Sequence, residues 1–317
     1  MIPSRLSGPP NPPAIPEDRK LPGLLAALDP AAMEGRLRAL LGAKGALTVQ
    51  LLKHVAGKRA VISYGFEDGQ RLIGKMYRKD RAQHQYRTLR VLCESLRGRT
   101  RTPQPLACWG DLGLLILEFM PGSPVPHWSE LVGQETLMSR LGASLADLHS
   151  ARLTVGAPAT LANHVRRTCH PGLQELRRAV PHLGALLLDI ERAMYAREET
   201  TEVEMRPCHG DFGPGQLLVT AEQVSVLDMD GLSHGDVALD VANFKVGLAV
   251  HAGAAAPGLI RCFIDSYLQG RPMDSLPGMP HYEAMAYLRR AMIQLRNRPS
   301  DWEEQVLKLA ERAQRCL

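Results

Sequence analysis

The chain contains 317 residues, of which 45% are hydrophobic and 22% are charged, a composition typical of a globular protein with one large or two modest domains. No apolar run approaches the length of a membrane span, and the Pro-rich N-terminus lacks the apolar segment of a secretory signal. The net charge of +5 comes without a block of like charges, which argues against nucleic-acid binding. We therefore expect a cytoplasmic protein that binds neither membranes nor nucleic acids.

The first third of the chain combines a terminal arm, helices and a β-meander. Residues 1–29 are rich in proline and are predicted to form a flexible arm. The next segment, residues 30–42, predicts a helix that ends at Gly42. Three β-prone runs, separated by the turn sequences AGK and EDGQ, predict a three-stranded meander over residues 48–77. The leucine spacing in residues 80–96 then predicts a further helix.

The remaining two thirds are mainly helical in pattern. Two more strands are predicted in RTPQPLACWG and LGLLILEFM, and the Pro/Gly-rich residues 120–126 predict a hinge. The following segments have helical periodicity, except for residues 206–230, which hold a loop and the short strands LLVT and VSVLDMD. The sequence thus predicts an α+β protein with a small β-rich lobe over residues 30–121 and a large helical lobe over residues 122–317.

The segment CHGDFGPGQLL places Asp211 in two overlapping motifs. Asp-Phe-Gly is the magnesium-binding tripeptide of protein kinases, whereas His-Gly-Asp is similar to their catalytic loop, in which the Asp orients the substrate hydroxyl. If Asp211 bound the metal, a catalytic loop should lie near residues 190–197, but that segment is helical in pattern and contains no Asp. If Asp211 is the base, Gln216 follows five residues later and Asp228 ends the second strand of the hairpin. The second interpretation accounts for the whole segment.

These motifs resemble the aminoglycoside phosphotransferase and choline kinase-like family. The resemblance rests on H-G-D-F-x-P-G-x-L-L, on L-D-M-D-G-x-x-x-G-D-x-x-x-D-V-A, and on the weaker motifs LIGKMYR, LILEFMPG and LADLHS. It extends from about residue 48 to residue 250. Membership implies a protein-kinase-like bilobal fold, with ATP and Mg²⁺ as cofactors and a hydroxyl group of a small molecule as acceptor.

The resemblance also implies roles for individual residues. Asp211 corresponds to the catalytic base, Asp228 to the magnesium ligand, and Lys75 to the lysine that binds the α- and β-phosphates. Gln216 stands where the family has a metal-binding Asn, and it retains the amide oxygen that a metal requires. Gly57, between the first two strands, is the candidate for the turn that covers the phosphates.

Further residues are expected to support the site. The adenine is expected to contact three consecutive hinge residues, Glu118, Phe119 and Met120. His209 should stabilise the catalytic loop without chemistry of its own. Asp236 and Asp240 correspond to a helix cap and a structural anchor. Asp230 has two alternative roles: it is either a second metal contact or a cap of the next turn.

Two departures from the family pattern favour an alternative function. Gln216 replaces the usual Asn, and Gln85 stands where a Glu usually pairs with the strand lysine, so that only a weaker Lys–Gln hydrogen bond to Lys75 is expected. A degenerate kinase fold acting as a nucleotide-binding or scaffold protein is therefore the alternative. Phosphorylation of a protein is disfavoured, because the short segment between Asp228 and Asp236 leaves no room for a regulated activation loop.

The charges of the C-terminal helices predict the class of acceptor. From His251 onward the balance is slightly basic, and four arginines lie on one helix and its end: Arg289, Arg290, Arg296 and Arg298. A polycation such as an aminoglycoside needs clustered carboxylates, so we expect a neutral or anionic metabolite or natural product. The alternative is that these arginines form a solvated helix face far from the cleft.

Overall fold

The computed structural model describes residues 17–78, 81–96, 100–153, 158–196, 205–270 and 276–317. The chain divides into two compact units. The first runs up to Arg90 and includes Gln104–Phe119, and the second comprises Val91–Pro103 and Met120–Leu317. Among the described residues, no helix has both the length and the apolar character that crossing a membrane requires.

The elements follow in chain order. The strands are β1 Leu47–Val55, β2 Arg59–Phe66, β3 Arg71–Tyr77, β4 Thr100–Arg101, β5 Pro105–Trp109, β6 Leu114–Glu118, β7 Ser123–Pro124, β8 Pro158–Ala159, β9 Met205–Cys208, β10 Leu217–Val219, β11 Val224–Val226 and β12 Ser233–Asp236. The α-helices are α1 Leu24–Leu28, α2 Pro30–Leu41, α3 Arg81–Ser95, α4 Glu135–Ser150, α5 Leu161–Thr168, α6 Leu173–Ala179, α7 Gly184–Tyr195, α8 Ala238–His251, α9 Ala256–Gln269, α10 Met279–Asn297 and α11 Trp302–Gln314.

The first unit is built on an antiparallel sheet of order β1-β2-β3-β6-β5. Strands β1 to β3 confirm the predicted meander. One face of the sheet buries side chains such as Ile62 and Leu72, and the helices α1 and α2 contribute to the same core. Residues 17–29, which the sequence analysis placed in the flexible arm, include α1, where Leu24 is 1% exposed. They belong to the core because their apolar side chains recur at helical spacing, a pattern that the surrounding prolines obscured.

The second unit is mainly helical and contains two small sheets. One has the order β4-β11-β10-β7, in which the β10–β11 hairpin pairs Leu217 with Val226. The other has the order β8-β12-β9. Strand β12 was not predicted, because its sequence SHGD lacks β-branched and apolar residues. The sheet of the first unit and the helices of the second confirm the predicted α+β class.

Two helices of the second unit approach each other closely at Gly142. This residue lies in α4, which packs against α9. A Cβ atom at Gly142 would lie 2.2 Å from the carbonyl oxygen of Phe263 in α9. Glycine is therefore required by the distance between the two backbones and not by its own dihedral angles.

This contact predicts opposite effects for two glycine-to-alanine substitutions. Gly142→Ala should lower the free energy of unfolding by about 1–3 kcal/mol, because the helices must move apart. Gly258→Ala, in α9 and with open space around its Cβ position, should leave stability unchanged or raise it by up to about 1 kcal/mol. Urea denaturation followed by circular dichroism measures both. Equal stability of the two variants would contradict the prediction.

Candidate active site

The loop that carries Asp211 is fixed by a buried carboxylate. Asp240, in the first turn of α8, accepts hydrogen bonds from the backbone N–H groups of His209 (2.6 Å) and Gly210 (2.7 Å). The Nε2–H group of His149, near the end of α4, donates to the same carboxylate at 3.1 Å. Asp240 is fully buried, so these donors replace its hydration.

The environment of Asp240 keeps it ionised. Burial by itself raises the pKa of the Asp240 carboxyl, but His149, through its hydrogen bond and charge, His209 and the backbone N–H of Gly210 outweigh burial. The pKa is therefore held below its ordinary value of 3.8. The expected anchor role of Asp240 is confirmed by these contacts. Asp236 accepts a hydrogen bond from the Ala238 N–H (2.9 Å) at the start of α8, which confirms the expected cap.

His209 connects the loop to the hairpin that follows it. Its Nδ1 accepts the backbone N–H of Asp211 (3.1 Å), and its Nε2 donates to the carbonyl of Leu227 (2.8 Å). The N–H of Leu227 in turn donates to the carbonyl of Gln216 (2.8 Å). Because Asp228 follows Leu227 directly, Gln216 and Asp228 lie at the same end of the β10–β11 hairpin, next to the loop.

Asp228 itself adopts an uncommon backbone conformation. Its φ angle is 57°, in the left-handed region, and the short helical turn Met229–Gly231 begins immediately after it. Asp and Asn tolerate this region better than most residues. The turn also contains Asp230.

A cavity of about 440 Å³ opens beside Asp211 within the second unit. Its walls are the turn at Trp128, residues 213–216 of the loop, α8 at Asn243, and the last turns of α10. This volume lies in the usual range for sites that bind small molecules. Asp211 and Gln216 both line the cavity, so two of the predicted site residues share it.

The structure places an arginine directly on Asp211. The Nη2 atom of Arg289 in α10 lies 2.7 Å from Asp211 Oδ1, and the two side chains are 21% and 51% exposed. Arg289 and Arg290 line the cavity, so they are not part of a distant solvated face, whereas Arg296 and Arg298 are absent from the described lining. Sequence reasoning missed the ion pair because 78 residues separate its partners.

Lys75 lies in the first unit, in the middle of the sheet. It pairs with Val61 of β2 and Leu115 of β6, and its side chain lies on the face of the sheet opposite to that of its neighbour Met76, which faces the core. Gln85 is 6% exposed, and its Oε1 accepts no hydrogen bond from any described residue. The expected Lys75–Gln85 hydrogen bond to this oxygen is therefore wrong.

The turn at Gly57 is bound by a carboxylate of the same unit. Gly57 has a φ angle of 67°, which favours glycine, and its N–H donates to Asp18 Oδ2 at 2.6 Å. His54 Nε2 lies 2.9 Å from the same oxygen. The hydrogen bond from Gly57 and then that from His54 lower the pKa of Asp18 to about 2. The sequence predicts a phosphate-covering turn here, whereas the contact with Asp18 has no signal in the local sequence.

The three predicted hinge residues lie where the chain passes from the first unit to the second. Glu118 ends β6, and its N–H donates to the carbonyl of Gln104 (2.9 Å). The guanidinium of Arg71 lies 4.0 Å from the centre of the Phe119 ring, within the first unit. Met120 is 5% exposed in the second unit. Their role in binding adenine stays a prediction.

The metal-binding capacity of the site rests on oxygen atoms. Asp228 offers a carboxylate and Gln216 an amide oxygen, the ligand types that Mg²⁺ prefers. Within the described part of the chain, one group of three side chains could also meet around an ion: His149, Cys208 and Asp240. His149 and Asp240 hydrogen-bond to each other, and Asp240 accepts two further N–H groups, so this group forms the anchor of the loop and not a metal centre.

Comparison with known proteins identifies the family. Residues 63–272 match the family described as "Phosphotransferase enzyme family". The chain belongs to this family. The match confirms the predicted relationship and, with it, ATP-dependent transfer to a hydroxyl group as the class of reaction. No sequence among the curated proteins matches this phosphotransferase.

Solved structures show the same fold at low sequence identity. The macrolide 2'-phosphotransferase MphH from Brachybacterium faecium is 20% identical, with a TM-score of 0.56 over 89% of this chain and 98% of its own. The choline kinase from Cryptosporidium parvum is 12% identical, with a TM-score of 0.59 over 85% and 88%. The amicoumacin kinase hAmiN, in complex with AMP-PNP, Ca²⁺ and Ami, is 14% identical, with a TM-score of 0.64 over 91% and 94%.

Asp240→Asn tests whether the buried carboxylate holds the loop in place. An amide offers one acceptor oxygen and turns its NH₂ group towards an N–H donor, so we expect a loss of about 3–5 kcal/mol in the free energy of unfolding at neutral pH. Because the pKa of Asp240 is lowered on folding, its contribution is complete above the ordinary value of 3.8 and is lost as the pH falls through the lower folded value. Chemical denaturation measures the difference.

Asp301→Asn is the matched control for this substitution. Asp301 is exposed and accepts a hydrogen bond from Gln305 within one helical turn. Its replacement should change stability by less than about 0.5 kcal/mol. If Asp240→Asn is as stable as this control, the buried carboxylate does not hold the loop.

Proposed function

We propose that this phosphotransferase is a small-molecule kinase that transfers the γ-phosphate of ATP, with Mg²⁺, to a hydroxyl group of a neutral or anionic acceptor. The observation that carries the proposal is the connection of Asp211, Gln216 and Asp228 through His209 and the hairpin, beside a cavity large enough for a metabolite. The family match supplies the reaction class.

In the proposed reaction, Asp211 positions the acceptor hydroxyl and accepts its proton. The hydroxyl oxygen forms a bond to the γ-phosphorus, the bond from that phosphorus to the β–γ bridging oxygen breaks, and ADP leaves with the electron pair. The proton on Asp211 then passes to solvent. The hydrogen bonds of His209 and Asp240 keep the loop in one conformation, so no reorganisation is needed when the acceptor binds.

Asp228 and Gln216 would hold the magnesium ion. When bound, the ion neutralises charge on the phosphates. Lys75 of the first unit is proposed to bind the α- and β-phosphates, with Glu118, Phe119 and Met120 at the adenine and Gly57 above the phosphates. The complex of the similarly folded amicoumacin kinase with AMP-PNP and Ca²⁺ supports a nucleotide–cation donor.

The alternative is a nucleotide-binding protein without transferase activity. Two observations favour it: Arg289 occupies Asp211 Oδ1, and Gln85 leaves a buried oxygen without a partner among the described residues. In this case ATP would raise the melting temperature while no acceptor in a broad panel gained phosphate. Phosphorylation of any acceptor by the purified protein excludes the alternative.

Asp211→Asn tests the proposed base. It should lower kcat by at least about a hundredfold, because the amide no longer accepts the proton of the hydroxyl. The affinity for ATP with Mg²⁺ should stay within about threefold, since Asp211 contacts the acceptor in this proposal. The matched control is Asp189→Asn, on an exposed helix face, which should leave both values unchanged. Retention of kcat within about tenfold in Asp211→Asn would refute the assignment.

Asp228→Asn tests the proposed metal ligand. Asparagine tolerates the left-handed backbone at this position, so the substitution removes the carboxylate charge with little backbone strain. We expect ATP to bind at least about tenfold more weakly in the presence of Mg²⁺, a loss of about 1.4 kcal/mol. Binding without the metal should change much less. Calorimetric titration with and without Mg²⁺ distinguishes the two, and equal affinities of variant and parent would exclude Asp228 as the ligand.

A further inference from the structure

The wall of the cavity beside Asp211 is positively charged. Among the described residues that line it, Asp211 is the only carboxylate, whereas Arg289 and Arg290 each contribute a guanidinium. The formal charge of these three side chains is therefore +1. A cavity that has one carboxylate and two arginines repels a polycation and attracts an anion.

Arg290 contributes a fixed positive charge to the wall of the cavity. It is 9% exposed, and its guanidinium donates to the backbone carbonyls of Ala286 and Asn243, both at 3.0 Å. No described carboxylate forms an ion pair with it. Burial, followed by the charge of Arg289, lowers the pKa of Arg290 to about 10, which still leaves it protonated at neutral pH. Burial and the charge of Arg290 likewise lower the pKa of His251 on the same wall.

Arg289 is oriented from two sides. Its Nη2 lies 2.7 Å from Asp211, and its Nη1 lies 3.5 Å from the Oδ1 atom of Asn243. The amide of Asn243 is itself fixed, because its Nδ2 donates to the carbonyl of Phe212 (3.0 Å). A guanidinium has five N–H donors in a planar fork, so one that contacts Asp211 can also bind an anionic oxygen group.

We infer that the acceptor carries an anionic oxygen group, a carboxylate or a phosphate, which Arg289 binds while Asp211 orients the hydroxyl beside it. The inference rests on the proposed kinase function and names its class of substrate. The hydroxyl and the anion are each held at hydrogen-bond distance from one of two side chains that contact each other. Through these contacting atoms, three hydrogen-bond lengths separate the two groups, so they lie within about 8 Å of one another in the acceptor. Arg289 is then the residue that determines specificity.

The test uses matched alcohols that differ in charge. Two series serve: glucuronate, glucose and glucosamine, and glycerate, glycerol and serinol. Transfer from ATP with Mg²⁺ is measured as phosphorylated product, and kcat/KM is compared within each series. We expect the anionic member to exceed the neutral and cationic members by at least about tenfold, and the opposite order would overturn the inference.

Arg289→Gln and Arg289→Lys separate recognition from support of Asp211. With Gln, the advantage of the anionic over the neutral member should disappear, while Lys should restore part of it because the charge returns. Arg296→Gln, on the exposed surface of the same helix, is the control and should retain the full advantage. If Arg289→Gln lowers kcat/KM equally for anionic and neutral members, Arg289 only positions Asp211 and the inference is wrong.

A binding measurement tests the inference without relying on the proposed kinase activity. If no alcohol of either series is phosphorylated, the melting temperature of the full chain with inorganic phosphate or glucuronate decides the inference independently of kinase activity. A rise that is absent with glucose and lost in Arg289→Gln supports an anion site at Arg289. A rise that persists in Arg289→Gln, or no rise with either anion, overturns it.

Discussion

The site depends on one buried carboxylate. Asp240 is fully buried, and it accepts hydrogen bonds from two backbone N–H groups of the loop that carries Asp211 and from the ring of His149. A loop with unpaired buried N–H groups would be costly, so the loop is stable in one conformation only while this carboxylate is ionised and in place. His149 of α4 and Asp240 of α8 thereby fix the position of the loop and of Asp211.

The hairpin extends this constraint to the second carboxylate. His209 donates to the carbonyl of Leu227, one residue before Asp228, and the backbone of Leu227 donates to Gln216. A single histidine thus links the proposed base to both proposed metal ligands. In the proposed site the acceptor contacts α10 instead, because Arg289 reaches Asp211 from that helix. The proposed base and the proposed specificity residue therefore lie on separate elements that meet in one ion pair.

Much of the architecture could be predicted from local patterns. The meander was predicted from alternating apolar residues, the later helices from helical spacing after residue 126, and the hairpin from the segment after Gln216. Each of these patterns depends only on residues close together in the chain, and the structure has the predicted elements. Local reasoning failed where the neighbours were distant. Strand β12 is paired by β9 and β8 in spite of its composition, and Asp18 binds Gly57 across 39 residues. Gln85 was expected to bind Lys75, but its oxygen is buried without that contact.

By itself, the sequence determined the class of fold, the loop with Asp211, and the spacing of Gln216 and Asp228, because the chemistry of phosphoryl transfer places these residues on one short segment. Only the tertiary structure decided what faces Asp211. Four arginines near the end of α10 look equivalent in the sequence, yet Arg289 and Arg290 line the cavity while Arg296 and Arg298 do not appear among its described residues. Which arginine reaches the cavity depends on its position along α10 and on how this helix packs against α8, and that packing involves residues far apart in the chain.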